Sequence, residues 1–482
     1  MIKNIVKWQT ISSVVVFLLA LLQVGILARL LDLSAFGLVA IVMVVVNISQ
    51  VLSDLGMANY LVYRQQISET LNSTVFWLCF LSGCLLCLIL TLASPFIADL
   101  YDKPDIAFLL PVSAIAFLPI SLSSQLQSRY ICEFKLNDIA KFDVISKVIG
   151  TIVAISTAYI GMGAISILLG GLAANVVKCI LIWWNAEKAW RPKWQFSKVE
   201  AKNAWAYGVY QIGSQLINQF RANLDTLILG FYIDSAHLGA YTLAKQLIQK
   251  PADFVLPIVR KVSLPLLASS QSNMDNMRLL VRKAHTYVAA LLILPYVLLC
   301  FLSEEVVQFM YGVDKLQVAL FIIPLSLFWL FRSIGGALVG SLTQGLGKTK
   351  IDFYWNLSVL ALFGLLCIVL APYGAYLLAW GLAILQGILM NVVFFVFYKR
   401  IISLKYQWYI SPILIFSLLS IFSVVFSVFL FRSIPVEINY LLYTALVCGL
   451  STVIYYLGSY QFQRNIIELP NPFYLLKSRK NK

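Results

Sequence analysis

Charged residues are scarce in this chain of 482 residues: Asp, Glu, Lys and Arg together make up 12% of it, against roughly 25% in soluble domains. Hydrophobic residues account for 61%. A soluble surface cannot be built from so few charges, so this composition is typical of an integral membrane protein. The sequence also lacks the short alternating segments of β-barrel strands, which leaves an all-helical membrane fold.

Residue types that carry out catalysis or bind metals are equally scarce. The two histidines, His237 and His285, are predicted to lie at opposite membrane faces, and the eight cysteines are scattered, nearly all of them in apolar segments. These positions exclude a histidine-containing metal site or nucleophilic centre. We therefore expect no metal, no cofactor and no enzymatic activity.

Long polar loops are lacking as well. The largest segments on the predicted outer side are about ten residues long, which is too short for a folded domain. Any function must therefore reside in the helix bundle.

Apolar runs that can cross a hydrocarbon core recur along the chain, each needing roughly 20 residues. We predict fourteen transmembrane helices. The eighth contains Lys245, Lys250, Pro251, Asp253 and Pro257, so it is predicted to be either buried in the bundle or partly unwound. The predicted spans are 9–29, 36–53, 74–97, 106–128, 140–160, 163–185, 203–230, 237–262, 284–303, 316–342, 353–372, 374–398, 409–431 and 438–460.

The distribution of basic residues predicts the orientation of these helices. With the N-terminus inside, the inner loops and tails hold 26 Lys and Arg residues and the outer loops hold four. Cytoplasmic loops carry the excess of Lys and Arg, so both termini are predicted to be cytoplasmic. This bias, with contact to anionic membrane lipids, explains the net charge of +15 without a nucleic-acid partner.

Two pairs of short motifs indicate an internal duplication. Residues 31–38, after the first span, share Asp, Ser-Ala and Gly in order with residues 233–240, after the seventh. A second pair of motifs, one around Tyr101 and one around Tyr311, is separated by a similar number of residues. Spans 1–6 and 7–12 are therefore predicted to be halves related by an axis along the membrane normal. The predicted domains are an N-terminal half (1–186), a basic cytoplasmic linker (187–202), a second half (203–400) and two additional helices with a basic cytoplasmic tail (401–482).

The seventh span carries ionisable residues in its second half. Ionised side chains at membrane depth cost a few kcal/mol each and usually face a protein interior or a watery cavity. The polar residues of this span recur every three or four positions, which places them on one helix face. This face is either the wall of a translocation pathway or the site of an ion pair that locks two helices together. Its residues are Tyr207, Gln211, Ser214, Asn218, Arg221 and Asp225.

Further polar residues lie in other spans. Lys147, Lys245 and Arg332 are candidate cations of the same cavity, whereas Lys178 can extend to the cytoplasmic surface. Gln23 occupies the position of Asp225 in the repeat. It is predicted either to face Asp225 across the cavity or to bond a neighbouring helix.

Several segments resemble a known family. They are residues 26–31 and 36–40, Ser53-Asp54-Leu55-Gly56, Arg64-Gln65, Arg221-Ala222-Asn223-Leu224-Asp225 and Leu238-Gly239-Ala240-Tyr241. The chain is similar to the polysaccharide-transporter branch of the multidrug/oligosaccharidyl-lipid/polysaccharide exporter superfamily, which comprises bacterial repeat-unit flippases. The resemblance covers essentially the whole chain. One departure is Asp32-Leu33-Ser34, where relatives commonly have proline followed by an acidic residue.

The resemblance implies a carrier in the bacterial cytoplasmic membrane. It would move polyprenyl-diphosphate-linked oligosaccharides from the inner to the outer leaflet, for capsule, exopolysaccharide or O-antigen assembly. Arg221, Asn223 and Asp225 match the family signature of the seventh span. The implied partners are this lipid-linked substrate, membrane lipids, and a polysaccharide polymerase with its chain-length machinery.

The chemistry of the polar residues fits such a substrate. Arg and Lys in a closed cavity can replace the lost hydration of a diphosphate, and amide and hydroxyl groups can bind sugars. We expect alternating access, in which Arg221, Lys245 and Arg332 attract the diphosphate. Asp225 and Asp54 are candidates for coupling to a proton or sodium gradient.

Three alternatives remain open from the sequence. A drug or cation exporter of the same superfamily shares the two halves but usually has twelve spans. A flippase for a cell-wall precursor is a second relative. A membrane polysaccharide polymerase or ligase is the third, although it is expected to need a substantial outer loop with catalytic groups.

Overall fold

A computed structural model of the protein describes residues 2–53, 60–61, 67–271, 273–432 and 440–467. All regular secondary structure in these ranges is helical, which confirms the all-α prediction. The helices are α1 (Ile2–Leu30), α2 (Leu33–Ser53), α3 (Glu69–Tyr101), α4 (Ile106–Ala114), α5 (Phe117–Cys132), α6 (Leu136–Tyr159), α7 (Ile165–Asn185), α8 (Lys198–Tyr232), α9 (Ser235–Ser269), α10 (Met274–Phe301), α11 (Ser303–Tyr311), α12 (Ala319–Gly336), α13 (Val339–Gly345), α14 (Thr349–Leu370), α15 (Ala375–Val393), α16 (Tyr406–Arg432) and α17 (Tyr440–Ile467). A π-helix (Phe394–Lys399) and a last turn (Arg400–Ile402) continue α15, and short 3-10 turns occupy Lys188–Trp190, Val313–Val318 and Ala371–Tyr373.

Eleven helical stretches of the described chain are long and apolar enough to cross a membrane. They coincide with eleven of the fourteen predicted spans. The other three predicted spans also form helices, namely α6, α8 and α9. These three helices carry Lys147, the Arg221 and Asp225 pair, and Lys245. The count of fourteen membrane crossings stays a prediction.

The predicted span 106–128 corresponds to one stretch, Ile106–Cys132, that is long and apolar enough to cross a membrane. It contains a break in the α-helical hydrogen bonding at Ile115 and Ala116, between α4 and α5, although both residues keep right-handed helical backbone angles. Pro119 explains the break, because proline has no backbone N–H and its ring clashes with the carbonyl four residues earlier, here that of Ile115. That carbonyl accepts a tighter bond from Leu118 N at 3.1 Å.

Helix α9 corresponds to the eighth predicted span, for which the sequence left two alternatives, a buried helix or a partly unwound one. It runs without interruption from Ser235 to Ser269, although it contains Pro251, Pro257 and Pro265. Most side chains between Leu238 and Ala252 are buried. The unwound alternative is therefore wrong for this segment. The buried alternative holds for residues 238–252 only, because every side chain from Asp253 to Val262 is partly or fully exposed.

The helices form two compact units. The first comprises Met1–Thr242, Met310–Lys315 and Val359–Ala375, and the second comprises Leu243–Phe309, Leu316–Ser358 and Tyr376–Lys482. Helix α8 lies in the first unit because it packs on α2 and α3. The predicted division into 1–186, 187–202, 203–400 and 401–482 concerns the sequence repeat and stays a prediction.

In the first unit, the predicted linker is partly folded onto the bundle. Trp190 is buried against Tyr130, at 5.1 Å between ring centroids, and Lys135 Nζ lies 4.7 Å from the Trp190 ring centroid. Trp194, by contrast, is 90% exposed. Of these two tryptophans, only Trp194 is therefore exposed enough to lie at the level of the lipid headgroups.

The second unit is organised around α10, which packs on α12, α16 and α17. His285 of α10 is buried and stacks on Tyr409 of α16, with ring centroids 4.5 Å apart. Its Nε2 lies 3.0 Å from the Tyr409 carbonyl oxygen. His285 therefore serves to pack α10 against α16.

Candidate functional site

Helix α8 contains the six residues of the predicted polar face. Its N-terminus is capped by Ser197, whose hydroxyl oxygen accepts from Glu200 N at 3.4 Å. The helix then continues without a break to Tyr232. This continuity is the condition under which spacings of three and four residues place side chains on one face. The side chains of three members of the face lie outside the described residues, namely Tyr207, Gln211 and Ser214.

The other members of the face are described. Asn218 is exposed, and Arg221 and Asp225 are half-buried. Asn223, the middle residue of the family signature, donates through Nδ2 to the Gln219 carbonyl oxygen at 2.9 Å. It therefore bonds within its own helix.

Asp225 is bound by the neighbouring helix. The Tyr241 hydroxyl of α9 donates to Asp225 Oδ2 at 2.6 Å, and the Thr226 amide donates to Asp225 Oδ1 at 2.8 Å. Tyr241 is fully buried. A buried tyrosine that donates to a carboxylate fixes the carboxylate in one orientation. The only signal for this role of Tyr241 in the sequence is its position sixteen residues after Asp225, across a short turn, so the role could not be predicted.

The end of α8 is held by Tyr101, the last residue of α3, and by Lys103, which follows α3. We call this contact the α8 clasp. Lys103 Nζ donates to the carbonyl oxygens of Gly230, at 2.7 Å, and of Ile233, at 3.3 Å. The Tyr101 ring stacks on Phe231 at 4.1 Å between centroids. A lysine is favourable there because the last carbonyls of a helix carry partial negative charge. Burial lowers the pKa of Lys103, and Asp234 and Asp102 oppose that shift.

The two repeated motifs of the sequence meet next to the α8 clasp. A Cβ added at Gly37 would overlap the Ser235 carbonyl oxygen, and one added at Gly239 would overlap the Leu33 carbonyl oxygen. Only glycine permits the backbones to approach this closely. The first turns of α2 and α9 therefore pack directly against each other.

Gln23 bonds a neighbouring helix. Its Oε1 accepts from Lys147 Nζ at 2.6 Å and from Thr151 Oγ1 at 3.2 Å, both on α6. This is one of the two alternatives that the sequence left open. A contact across a cavity with Asp225 stays a prediction.

The remaining predicted site residues lie elsewhere. In the second unit, Lys245 is buried and the Arg332 guanidinium lies 4.9 Å from the Trp329 ring centroid, a cation–π contact. In the first unit, Lys178 pairs with Asp143 at 2.8 Å. Asp54 lies outside the described residues. Within the part of the chain that the structure describes, no group of three or more His, Cys, Asp or Glu residues could hold a metal ion.

The sequence is similar to that of known polysaccharide biosynthesis proteins. The family described as "Polysaccharide biosynthesis protein" matches residues 26–319. The amylovoran biosynthesis protein AmsL of Erwinia amylovora is 29% identical over 358 residues, which cover 73% of this chain and 91% of that protein. The lipopolysaccharide biosynthesis protein WzxC of Escherichia coli (strain K12) is 27% identical over 406 residues, which cover 84% and 82%.

A solved structure shares the fold. The lipid II flippase MurJ, in an inward closed conformation, matches with a TM-score of 0.79 over 95% of this chain and 99% of that one. The sequence identity is 17%, so this likeness concerns the fold alone. Together with the apolar helices, it identifies an integral membrane protein.

Proposed function

Because the chain belongs to the polysaccharide biosynthesis protein family, we propose that it flips polyprenyl-diphosphate-linked oligosaccharide repeat units from the inner to the outer leaflet for surface polysaccharide assembly. It is a multi-pass protein of the bacterial cytoplasmic membrane. Its relatives are polysaccharide biosynthesis proteins, and the MurJ fold is that of a lipid II flippase. A carrier of this kind needs no catalytic group.

The proposed membrane arrangement has fourteen spans, with both termini in the cytoplasm and spans 1–6 and 7–12 as parallel halves. The contact of Gly37 with Ser235 and of Gly239 with Leu33 supports the repeat. The repeated motifs at residues 31–38 and 233–240 are 202 residues apart, so Gly37 corresponds to Gly239 and Leu33 to Ser235. Each contact is thus the counterpart of the other, as a two-fold axis requires.

The observation that supports this function is that Asn218, Arg221 and Asp225, members of the predicted polar face, lie on one continuous helix, α8. Arg221 can bind phosphate oxygens through two N–H groups at once, and Lys147, Lys245 and Arg332 add positive charge. Asn218, Gln211, Ser214 and Tyr207 provide groups that bind sugar hydroxyls. The prenyl tail stays in the lipid.

The proposed transport mechanism is alternating access. In the proposed orientation, the α8 clasp and the glycine contact lie at the outer side. The inward-open carrier takes up the substrate, and the outward-open state requires Lys103 to release the carbonyls of Gly230 and Ile233. Asp225, oriented by Tyr241, would exchange its interactions as the diphosphate arrives. Coupling to a proton or sodium gradient would run through Asp225 or Asp54, and the exported product would pass to a polymerase and its chain-length machinery.

The test replaces Arg221 with Lys, Gln and Ala and measures surface polysaccharide together with membrane-inserted protein. Loss of a charge-assisted contact of about 1.5–3 kcal/mol should reduce transport roughly ten- to hundredfold in the Ala variant, with Lys retaining the most. Lys202→Ala is the matched control, because it removes an exposed cation from the same helix before the proposed span. Wild-type polysaccharide in Arg221→Ala would rule out the pathway role. Loss of the protein itself would favour a structural ion pair.

A second candidate is the transport of a cell-wall precursor, which the MurJ-like fold favours. The two functions differ in what the cell loses. Deletion of a cell-wall flippase stops growth, whereas deletion of a polysaccharide flippase removes only the surface polymer. Growth of the deletion strain therefore separates them.

A further inference from the structure

A polar cavity of about 330 Å³ lies within the first unit, apart from the polar face of α8. It is formed by the C-terminal halves of α2, α5 and α7. Eight of the ten lining residues that the structure describes are polar, whereas ligand pockets are usually lined by apolar side chains. The spacing of residues in the sequence does not predict this cavity, because its lining residues come from three separate helices. The residues that matter here are Gln50, Ser124, Gln127, Ser128, Asn175 and Lys178.

The lining offers both hydrogen-bond donors and acceptors. The Ser128 hydroxyl donates to the Ser124 carbonyl at 3.2 Å, so its oxygen still has lone pairs to accept a further bond. The side-chain amides of Gln50, Gln127 and Asn175 make no hydrogen bond to any residue that the structure describes. Each amide can therefore both donate and accept.

The lysine of this cavity is already paired. Lys178, the one ionisable residue among the lining residues that the structure describes, pairs with Asp143 at 2.8 Å. A diphosphate would have to compete with that carboxylate for the ammonium group. The cavity therefore suits an uncharged ligand rich in hydroxyl groups better than an anion.

The position of the cavity agrees with such a ligand. In the proposed orientation, α2, α7 and the span formed by α4 and α5 start at the outer side. The C-terminal halves of α2 and α7, together with α5, therefore lie towards the cytoplasmic side. This is the side on which a lipid-linked oligosaccharide is presented to the carrier. The volume is within the usual range of about 300–1,000 Å³ for small-molecule pockets.

We propose that this cavity binds neutral sugar residues of the substrate on the cytoplasmic side, as a subsite separate from the charged face around Arg221. This proposal rests on the proposed function. It divides recognition between two places: the charged face binds the diphosphate, and the cavity selects the sugar. Water alone could also fill the cavity, and the following experiment distinguishes the two occupants.

The experiment labels the full chain in lipid nanodiscs with an alkyl lactoside that carries a diazirine on the sugar. Peptide mass spectrometry after illumination should find the label on residues 123–131 and 175–178. The label should decrease with excess lactose but not with inorganic pyrophosphate. Gln127→Leu and Asn175→Leu should each reduce the label about tenfold, through loss of hydrogen bonds. Asn185→Leu is the matched control, since this exposed amide on α7 does not line the cavity.

Label elsewhere on the chain, or equal label in the two cavity variants and wild type, would overturn the proposal and indicate a water-filled cavity. Surface polysaccharide in the same strains separates this proposal from the function. If Arg221→Ala loses the polysaccharide and the cavity binds no sugar, only the subsite fails. If the cavity binds sugar but no variant loses polysaccharide, the transport function fails and the site stands.

Discussion

Gly37 at the start of α2 and Gly239 at the start of α9 lie against each other, so that a Cβ at Gly239 would be 3.0 Å from the backbone nitrogen of Gly37. The two residues are equivalent positions of the sequence repeat. Their contact brings together the turns that follow the first and seventh predicted spans. The closeness of these backbones makes the contact sensitive to the smallest side chain.

We predict that Gly37→Ala and Gly239→Ala each destabilise the protein. The added methyl group would overlap a backbone oxygen, which cannot rotate away as a side chain could, so the two helices must separate. Gly171→Ala in α7 is the control, because nothing lies within 4 Å of its Cβ position. Alanine is favoured over glycine within a helix, so this control should gain up to about 1 kcal/mol. The melting temperature of the purified protein measures all three, and equal values for Gly37→Ala and Gly171→Ala would contradict the contact.

Tyr241→Phe should reduce both stability and transport. It removes the hydroxyl that donates to Asp225 Oδ2 at 2.6 Å, and a hydrogen bond to a charged group contributes about 1.5–3 kcal/mol. Asp225→Asn retains an oxygen that can accept from Tyr241 but loses the charge. If the charge matters for transport, Asp225→Asn should lose transport while keeping more of its stability than Tyr241→Phe. The opposite order would mean that Asp225 serves only to join α8 and α9.

Lys103→Met should favour the outward-open state. The variant loses both bonds to the end of α8, and the loss of about 1.4 kcal/mol would increase the open population about tenfold. A cysteine placed at the buried Leu229, which is not part of the α8 clasp, reports on this through its rate of labelling by a membrane-impermeant maleimide added outside. Lys315→Met, which changes another lysine of the predicted outer side, should leave the rate unchanged. A rate unaffected by Lys103→Met would show that the α8 clasp does not control opening.

Acidification should weaken the start of α9. The His237 amide donates to Asp234 Oδ1 at 2.7 Å, and this bond, followed by the His237 side chain, holds the pKa of Asp234 below its usual value of 3.8. Because the folded-state pKa is the lower one, the stabilisation is complete above pH 3.8 and disappears as the pH falls through the folded-state pKa. Asp234→Ala should therefore melt below wild type at pH 6, and this difference should shrink at pH 3. A difference that is constant with pH would contradict the carboxylate's role.

The sequence was sufficient for the parts of the fold that depend on local composition. Long apolar runs identified every helix that the structure describes as able to cross a membrane, because hydropathy is a property of each segment alone. The spacing of polar residues in α8 likewise needed only a continuous helix. The break before α5 was missed although Pro119 is its cause, because the apolar run itself continues through it.

The contacts between helices could not be predicted in the same way. Tyr241 binds Asp225 across a turn, and Gln23 accepts from Lys147, which is 124 residues away in sequence. The polar cavity depends on serine and amide residues of three helices that sequence spacing cannot bring together. Each of these contacts, and the cavity, depends on how the helices pack together and not on the sequence of any one segment.

The most direct measurement of the central claim is transport across a bilayer by the purified protein. Liposomes would contain a polyprenyl-diphosphate-linked oligosaccharide with a fluorescent sugar, and a membrane-impermeant quencher would be added outside. With the wild-type protein, we predict that the quencher reaches the label of both leaflets, whereas Arg221→Ala should leave the inner-leaflet label protected. Protection of the inner leaflet by wild-type protein, as in liposomes without protein, would contradict the account.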